Sequence, residues 1–301
     1  MTTVGFLLVP DLHLLDLAGP AQVFSTARDL GYDYALAYLS EHAEVPTAQG
    51  LPVHAETIWP ALRPDDLLIV PGWRSPTLRG TGRLAAETLD WVADHHRAGG
   101  TVASVCSGAD VLGRAGLLDG RRCTTHHGLQ DELARRYKRA TVVRDVLYVV
   151  DGRVITSAGI ASGVDLALYL MAVRHGPAAA ARIAREMVVY ARRNGDEQQT
   201  SAMLRHRGHL SDAVHKIQDL IDQRYAERLP LAALAGAGGI SERTLTRQFS
   251  RATGLTPLGY QQALRLERAE HLIGHGSTVH AAARAVGFED PRMLRRLRAR
   301  H

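Results

Sequence analysis

The chain has 301 residues, enough for two domains that each bury a core, and its 46% apolar content is that of a globular protein. No apolar run approaches the roughly 18 residues needed to span a bilayer, and MTTVGFLLVPDL has no basic segment ahead of its apolar residues. No membrane partner or export signal is therefore expected, and two cysteines, Cys106 and Cys123, fit a reducing cytoplasm rather than a disulfide framework. The net charge of +5 is unevenly spread: residues 211–301 hold 14 Lys+Arg against 9 Asp+Glu, whereas residues 1–210 hold 22 of each. The excess lies wholly in the C-terminal part, as expected of a nucleic-acid-binding domain joined to a neutral one, although a basic surface kept for solubility would look the same.

In chain order, TVGFLLV reads as a strand buried on both faces, and LAGPAQVFSTARDLG as a helix ending at a glycine. YALAYLS and DLLIVPG are strands, the latter running into a Pro-Gly loop. RLAAETLDWVADHHRAGG is an amphipathic helix with a double-glycine stop. TVASVC is a strand and SGADVLGRAGLL a helix. RRCTTH, LQDELARRY and the hairpin VVRDVLYVVDGRVITSAG follow, then the helices GVDLALYLMAVRHG and PAAAARIAREMVVYA. This alternation predicts an α/β domain over residues 1–190, a doubly wound, mostly parallel sheet covered on both faces.

Cys106 ends an apolar strand and is followed at once by Ser107-Gly108 and a helix, a turn that exposes a nucleophile above the sheet edge. The helix start beside it is expected to lower the thiol pKa, and its free N–H groups to hold an anion. The alternative is a buried cysteine filling a strand end. Trp73 and Arg74, after Gly72, either line a small-molecule pocket or are a loop hydrophobe and a surface charge. No Cys/His spacing suggests a metal site, and no cofactor is indicated. His95, His96 and His127 read as surface or helix residues.

This domain resembles the class I glutamine amidotransferase-like superfamily, in its ThiJ/PfpI branch. The resemblance rests on Asp16-Leu17-x-Gly19-Pro20, Val70-Pro71-Gly72, Val105-Cys106-Ser107-Gly108, Ala115-Gly116-Leu117-Leu118-x-Gly120, Thr124-Thr125-His126, and Thr156-Ser157-Ala158-Gly159 with Asp165. It implies a flavodoxin-like fold. Cysteine chemistry needs a thiolate, a proton shuttle and an oxyanion site. The glutaminases place a glutamate two residues after the histidine, where this chain has Gly128, so that triad is absent. Asp16 resembles the aspartate of isocyanide hydratase-like members; alternatively it caps the helix starting at Gly19-Pro20. His126 is either the shuttle or a strand-end histidine bonded to backbone. The candidate catalytic or ligand-pocket residues are thus Cys106, Asp16 and His126, with Gly72, Trp73, Ser107 and Gly108 as candidate ligand contacts.

Residues 191–210, which include His206 and His209, lose apolar periodicity and read as a linker. SDAVHKIQDLIDQRYAE begins the domain at 211–301. LPLAALAGAGG is a short helix ending in a glycine turn. Ser241 then caps a helix whose Leu245 and Phe249 are spaced for burial, while Arg243, Thr244, Arg247, Gln248 and Arg251 lie on its other face. Helix, glycine turn and capped basic helix is the layout of a helix-turn-helix, whose second helix enters the major groove.

The resemblance here is to the AraC/XylS family of transcription regulators. It is carried by Leu231, Leu234, Ala235, Gly239-Ile240-Ser241, Leu245-x-Arg247-x-Phe249, Gly254-Leu255-Thr256-Pro257, Tyr260 and Arg265-Leu266-x-x-Ala269. A second copy places Val279, Ala282, Ala283 and Gly287-Phe288 where Leu231, Leu234, Ala235 and Gly239-Ile240 stand in the first. A long helix over roughly 257–274 joins the two. The second copy departs from the pattern: four residues after Leu294 comes Arg298 instead of a phenylalanine. An unpaired arginine buried there would cost several kcal/mol. Either this subdomain is loosely folded, or Leu297 turns inward and Arg298 outward.

A ThiJ/PfpI-like domain followed by an AraC-like one is the arrangement of GlxA-type regulators. It implies double-stranded DNA as partner, a homodimer through the first domain, an unidentified small-molecule effector and contact with RNA polymerase. Ser241, Arg243, Thr244, Arg247, Gln248, Arg292, Arg295 and Arg296 are the candidate DNA contacts, the first unit carrying more of the specificity. The alternative function is a cysteine-dependent hydratase or amidase using Cys106 and Asp16.

Overall fold

The computed structural model describes residues 1–75, 77–78, 84–189, 193–197, 199, 206–209, 211–274 and 276–299. Positions 191, 192, 198, 200–205 and 210 of the expected linker, and the last two of the chain, lie outside these. The chain divides into two compact units, Met1–Gln199 and Thr200–His301.

The first unit is built on β1 (Thr2–Leu7), α1 (Leu14–Asp29), β2 (Tyr34–Leu39), β3 (Glu44–Val45), β4 (Val53–His54), β5 (Leu67–Val70), α2 (Ala86–Arg97) and β6 (Thr101–Val105). It continues with α3 (Ala109–Arg114), β7 (Arg122–Cys123), α4 (Gln130–Arg136), β8 (Thr141–Val142), β9 (Tyr148–Asp151), β10 (Val154–Ser157), α5 (Ser162–His175) and α6 (Pro177–Glu186). Its main sheet has the order β2-β1-β5-β6-β10-β9. All neighbours run parallel except β9, which is joined to β10 as an antiparallel hairpin across Gly152. RRCTTH contributes only the two-residue β7, paired with β8 outside the main sheet.

The apolar strands alternate between two cores with the period of two that a pleated strand imposes. Val4, Phe6, Leu67, Ile69, Ala103, Val105 and Ile155 face the core under α1, α5 and α6. Leu7, Leu68, Val70, Val102 and Val154 face the core under α2, α3 and α4. Each fully buried Leu, Ile, Val or Phe contributes about 1.5–3 kcal/mol, which is why continuous apolar strands settle between two helical layers. The chain order reverses beside β1, and ligand crevices in such sheets open at the carboxyl ends of the strands near that reversal.

The second unit consists of α7 (Asp212–Arg224), α8 (Leu231–Ala237), α9 (Glu242–Thr253), α10 (Pro257–Gly274), α11 (Val279–Ala285) and α12 (Pro291–Arg298). The first helix-turn-helix encloses Ile217, Ile221, Leu234, Leu245, Phe249 and Tyr260. The second encloses Leu266, Ala269, Ala282, Ala283, Val286, Phe288 and Leu294. Arg265 on α10 ties the two together. It donates to the carbonyls of Tyr225 (2.6 Å), Glu227 (2.7 Å) and Gly287 (2.8 Å), and lies over the Phe288 ring. Gly287 has φ +82° and a side-chain carbon there would meet the Ala226 carbonyl, so only glycine fits this junction.

The described parts of the expected linker are bonded to one unit or the other. Arg193 grips Asp165 through Nε and Nη2 at 2.9 and 2.6 Å, and the carbonyls of Gly195 and Glu197 accept from Tyr148 and Leu147. In the second unit His206 Nδ1 donates to the Thr253 carbonyl at 2.9 Å, and Arg207 pairs with Asp219 and the buried Asp222.

Candidate nucleic-acid interface and cysteine elbow

The carboxyl ends of β5, β6 and β10 converge on Cys106. This residue opens a one-turn 3-10 segment, Cys106–Gly108, with φ +55°, a strained value for a residue with a side chain. Its neighbours leave little space. A side-chain carbon on Gly72 would lie 2.7 Å from Cys106 Cβ, one on Gly159 2.4 Å from it, and one on Gly108 2.2 Å from the Val70 carbonyl oxygen. Three glycines at strand ends thus let the backbone close around the thiol.

Asp16 lies inside this closure, fully buried, in the first turn of α1. The helix begins at Leu14 and carries Pro20 within it, so Asp16 does not cap a helix starting at Gly19-Pro20. Its Oδ1 accepts from the Ile160 N–H at 2.6 Å. Oδ2 has no well-formed hydrogen bond and lies where a Gly72 side chain would stand, 2.6 Å from that position. Burial raises the Asp16 pKa above the ordinary carboxylate value. Burial first, and then the Asp16 charge, push the Cys106 thiol up to about 12, against a smaller opposing pull from the Ser107 N–H. The lowered thiol pKa expected from the helix start is therefore not found: desolvation and the Asp16 charge outweigh the Ser107 N–H.

His126 does not join this group. Its Nδ1 accepts from the Gly128 N–H at 3.3 Å, capping the short turn His127–Leu129, and its ring packs on His127. Burial lowers its pKa. The residue of that loop that reaches the elbow is Thr125, whose hydroxyl donates to the Cys106 carbonyl at 2.7 Å. Ser107 accepts from the Trp73 N–H at 2.7 Å and donates to the Trp73 carbonyl at 3.0 Å. Trp73 is 1% exposed and belongs to the core with Leu7 and Val9, so it is neither an exposed loop hydrophobe nor an open pocket wall. Thr125 and Ile160 bond directly to the elbow and its aspartate. No local motif pointed to Ile160, which adopts φ +49° and is exposed beside Asp16.

In the second unit Gly239, at φ +65°, turns the chain out of α8. Ser241 Oγ accepts from the Thr244 N–H at 3.3 Å and caps α9, and Gly254 at φ +76° ends it. Leu245 and Phe249 are fully buried. Arg243, Arg247 and Gln248 are exposed, as is Arg251. Thr244 is half-buried and its Oγ1 accepts from Ser241 Oγ at 2.9 Å, so its hydroxyl serves the cap. With 100° between successive residues, Arg243 and Arg247 lie near the centre of the outward face and Gln248 toward one flank. Toward the other flank Glu242, Thr246 and Ser250 line an open groove together with Arg243, Arg247 and Leu231 of α8. No motif singles out Glu242, Thr246 or Ser250, although their i, i+4 spacing puts the three on one side of the helix.

The second recognition helix, α12, is capped by Asp290, which accepts from the Arg292 N–H at 2.8 Å, with Pro291 as its first residue. Leu294 is fully buried and Leu297 packs against the same core. Arg298 points out and lies 3.5 Å from Glu270. Of the two expectations, the rotated helix is the one found. Arg292, Arg295 and Arg296 are all exposed.

The molecule is thus an α/β sheet domain with a cysteine elbow, followed by a pair of helix-turn-helix units with basic outward faces. Residues 2–173 match the DJ-1/PfpI family and residues 234–301 a helix-turn-helix domain. Over 289 residues the chain is 28% identical to the HTH-type transcriptional regulator CdhR of Pseudomonas aeruginosa, covering 95% of this chain and 84% of that protein. Over 169 residues it is 36% identical to the isonitrile hydratase of Pseudomonas putida, covering 56% of this chain and 69% of the hydratase. Among solved structures, an AraC family transcriptional regulator from Pseudomonas putida superposes with a TM-score of 0.55 at 23% identity, over 62% of this chain and all of the other, a likeness of fold. The chain belongs to the DJ-1/PfpI family and joins to it a helix-turn-helix domain, the architecture of a transcription regulator. Among the described residues, no helix is long and apolar enough to cross a membrane.

Proposed function

We propose that this chain is a sequence-specific DNA-binding transcription regulator of the cytoplasm, acting as a homodimer held by its first unit and responding to a small molecule bound near Cys106. The observation that carries the proposal is the outward face of α9: a capped helix whose Arg243 and Arg247 are exposed while Leu245 and Phe249 fix it to the core. Arginine presents the planar fork that takes guanine or phosphate in two hydrogen bonds. A second basic helix, α12, supplies further phosphate contacts. Leu15 and Ile160, exposed on either side of Asp16 and its hydrogen bond, support a contact face at the elbow for an effector or a second copy.

Binding to the DNA upstream of its own gene, followed by fluorescence anisotropy across a salt series, tests this reading. The expected result is affinity that falls steeply with salt and exceeds that for unrelated DNA. Equal affinity for both would refute it. Sedimentation of the full chain tests the dimer, and transcription in vitro with purified RNA polymerase tests contact with that enzyme.

The burial of Asp16 beside Cys106 supports a second reading, a hydratase acting through the thiol. The raised thiol pKa weighs against it, and Gly128 in place of a glutamate weighs against the amidase form of the same chemistry. Turnover of an isocyanide that disappears in Cys106→Ser would establish it, and no turnover would remove it. In either reading, alkylation of Cys106 by iodoacetamide is expected to be slow near neutrality and to rise with pH toward about 12. Asp16→Asn removes a neighbouring charge and is expected to shift that profile to lower pH; an unchanged profile would assign the effect to burial alone.

A further inference from the structure

We infer that Glu242 is a base-discriminating residue of the first recognition helix, accepting the exocyclic amino group of a cytosine in the major groove. The inference rests on the DNA-binding reading above. Glu242 is exposed on the groove side of α9, on the same wall as Arg243, Thr246, Arg247 and Ser250. Its carboxylate has no ion-pair or hydrogen-bond partner among the described residues. Its backbone carbonyl accepts from the Thr246 hydroxyl at 2.9 Å.

An unpaired carboxylate on a face that meets a polyanion is repelled by every phosphate. It fits only where the DNA offers a donor. In the major groove cytosine presents its N4 amino group without an adjacent acceptor on the same base, and carboxylates take that donor. Guanine and thymine present acceptors at the corresponding edge and repel the carboxylate. The residue therefore acts less by adding affinity than by excluding wrong bases, the repulsive half of specificity.

The second helix supplies an internal contrast. Aligning Leu294 with Leu245 sets Pro291 opposite Glu242, Arg292 opposite Arg243, Arg295 opposite Thr246 and Arg296 opposite Arg247. That face carries cations and no acid, as suits phosphate anchoring. The first face mixes an acid and hydroxyls with its arginines, as suits reading of base edges. A charge placed in the first turn only to favour the helix dipole would serve equally on any DNA sequence, and this separates the two roles.

The test is selection of binding sites from a randomised duplex pool by the full-length wild type, Glu242→Ala and Glu242→Gln. The wild type is expected to select a cytosine at one position with a preference of about tenfold or more, the range of a good base contact. Glu242→Ala is expected to lose the preference at that position alone. Glu242→Gln, which keeps the shape and removes the charge, is expected to move it toward adenine, so the assignment stands even where the alanine variant binds too weakly to select. A wild-type motif retained unchanged by both variants overturns the inference while leaving the DNA reading intact. A wild type that selects no sequence refutes the DNA reading, and the inference with it.

Discussion

The two helix-turn-helix units share a scaffold and differ in what they present. Both have a glycine turn, a capped second helix and a leucine at the first buried position, Leu245 or Leu294. In the first, the next buried position is Phe249, packed edge-on to Tyr260. In the second, the equivalent place belongs to Arg298, and Leu297 packs instead, so the buried stripe turns one residue, about 100°, around the helix. Among the described residues, three of the seven buried in the second core are alanines, Ala269, Ala282 and Ala283, against one of nine, Ala235, in the first. The first face mixes acid, hydroxyl and arginine, while the second is arginine-rich. A duplicated motif can thus keep its backbone while its two copies present different faces, which supports the proposal that the first reads sequence and the second supplies charge.

The largest expected effect falls on the first core. Phe249→Ala removes a fully buried ring and is expected to cost about 3–5 kcal/mol, read as the unfolding of this unit in denaturant. It should also abolish sequence preference. A loss under 1 kcal/mol would show that the first unit is not the well-packed one. Replacing Arg295 and Arg296 together with alanine is expected to weaken binding to all sequences about equally and to lower the slope of log affinity against log salt by about two. Loss confined to one sequence would assign base reading to the second unit as well. Arg298→Ala is expected to change stability least, by less than about 1 kcal/mol, because its partner Glu270 is as exposed as the arginine itself. A change of several kcal/mol would mean that Arg298 is buried.

Much of this arrangement was legible in the sequence because it is local. Glycine punctuation, the serine cap and the Leu245/Phe249 spacing placed α9, and the connecting helix lies over the residues expected, Pro257–Gly274. Strand alternation between two cores followed from continuous apolar runs. What remained hidden was set by distant parts of the chain. One of the two alternatives for Asp16 starts a helix at Gly19-Pro20, yet α1 begins at Leu14 and carries the proline within it, so Asp16 faces the Ile160 amide instead of a cap. The sign of the Cys106 shift depends on how completely glycines from other strand ends close around it, which the elbow motif alone does not encode. Trp73 looked like a loop side chain because its core partners, Leu7 and Val9, are more than 60 residues away. Arg298 was legible only as a conflict, and the packing of Leu297 resolved it.

The proposed division of labour sets base reading on α9 and phosphate contact on α12. Its most direct test is the ratio of affinities for a selected site and for unrelated DNA, measured for Arg247→Ala and Arg296→Ala at one salt concentration. Arg247→Ala is expected to lower the ratio about tenfold, while Arg296→Ala weakens both affinities and leaves the ratio unchanged. An equal fall of the ratio in both variants, or a fall in Arg296→Ala alone, would contradict it.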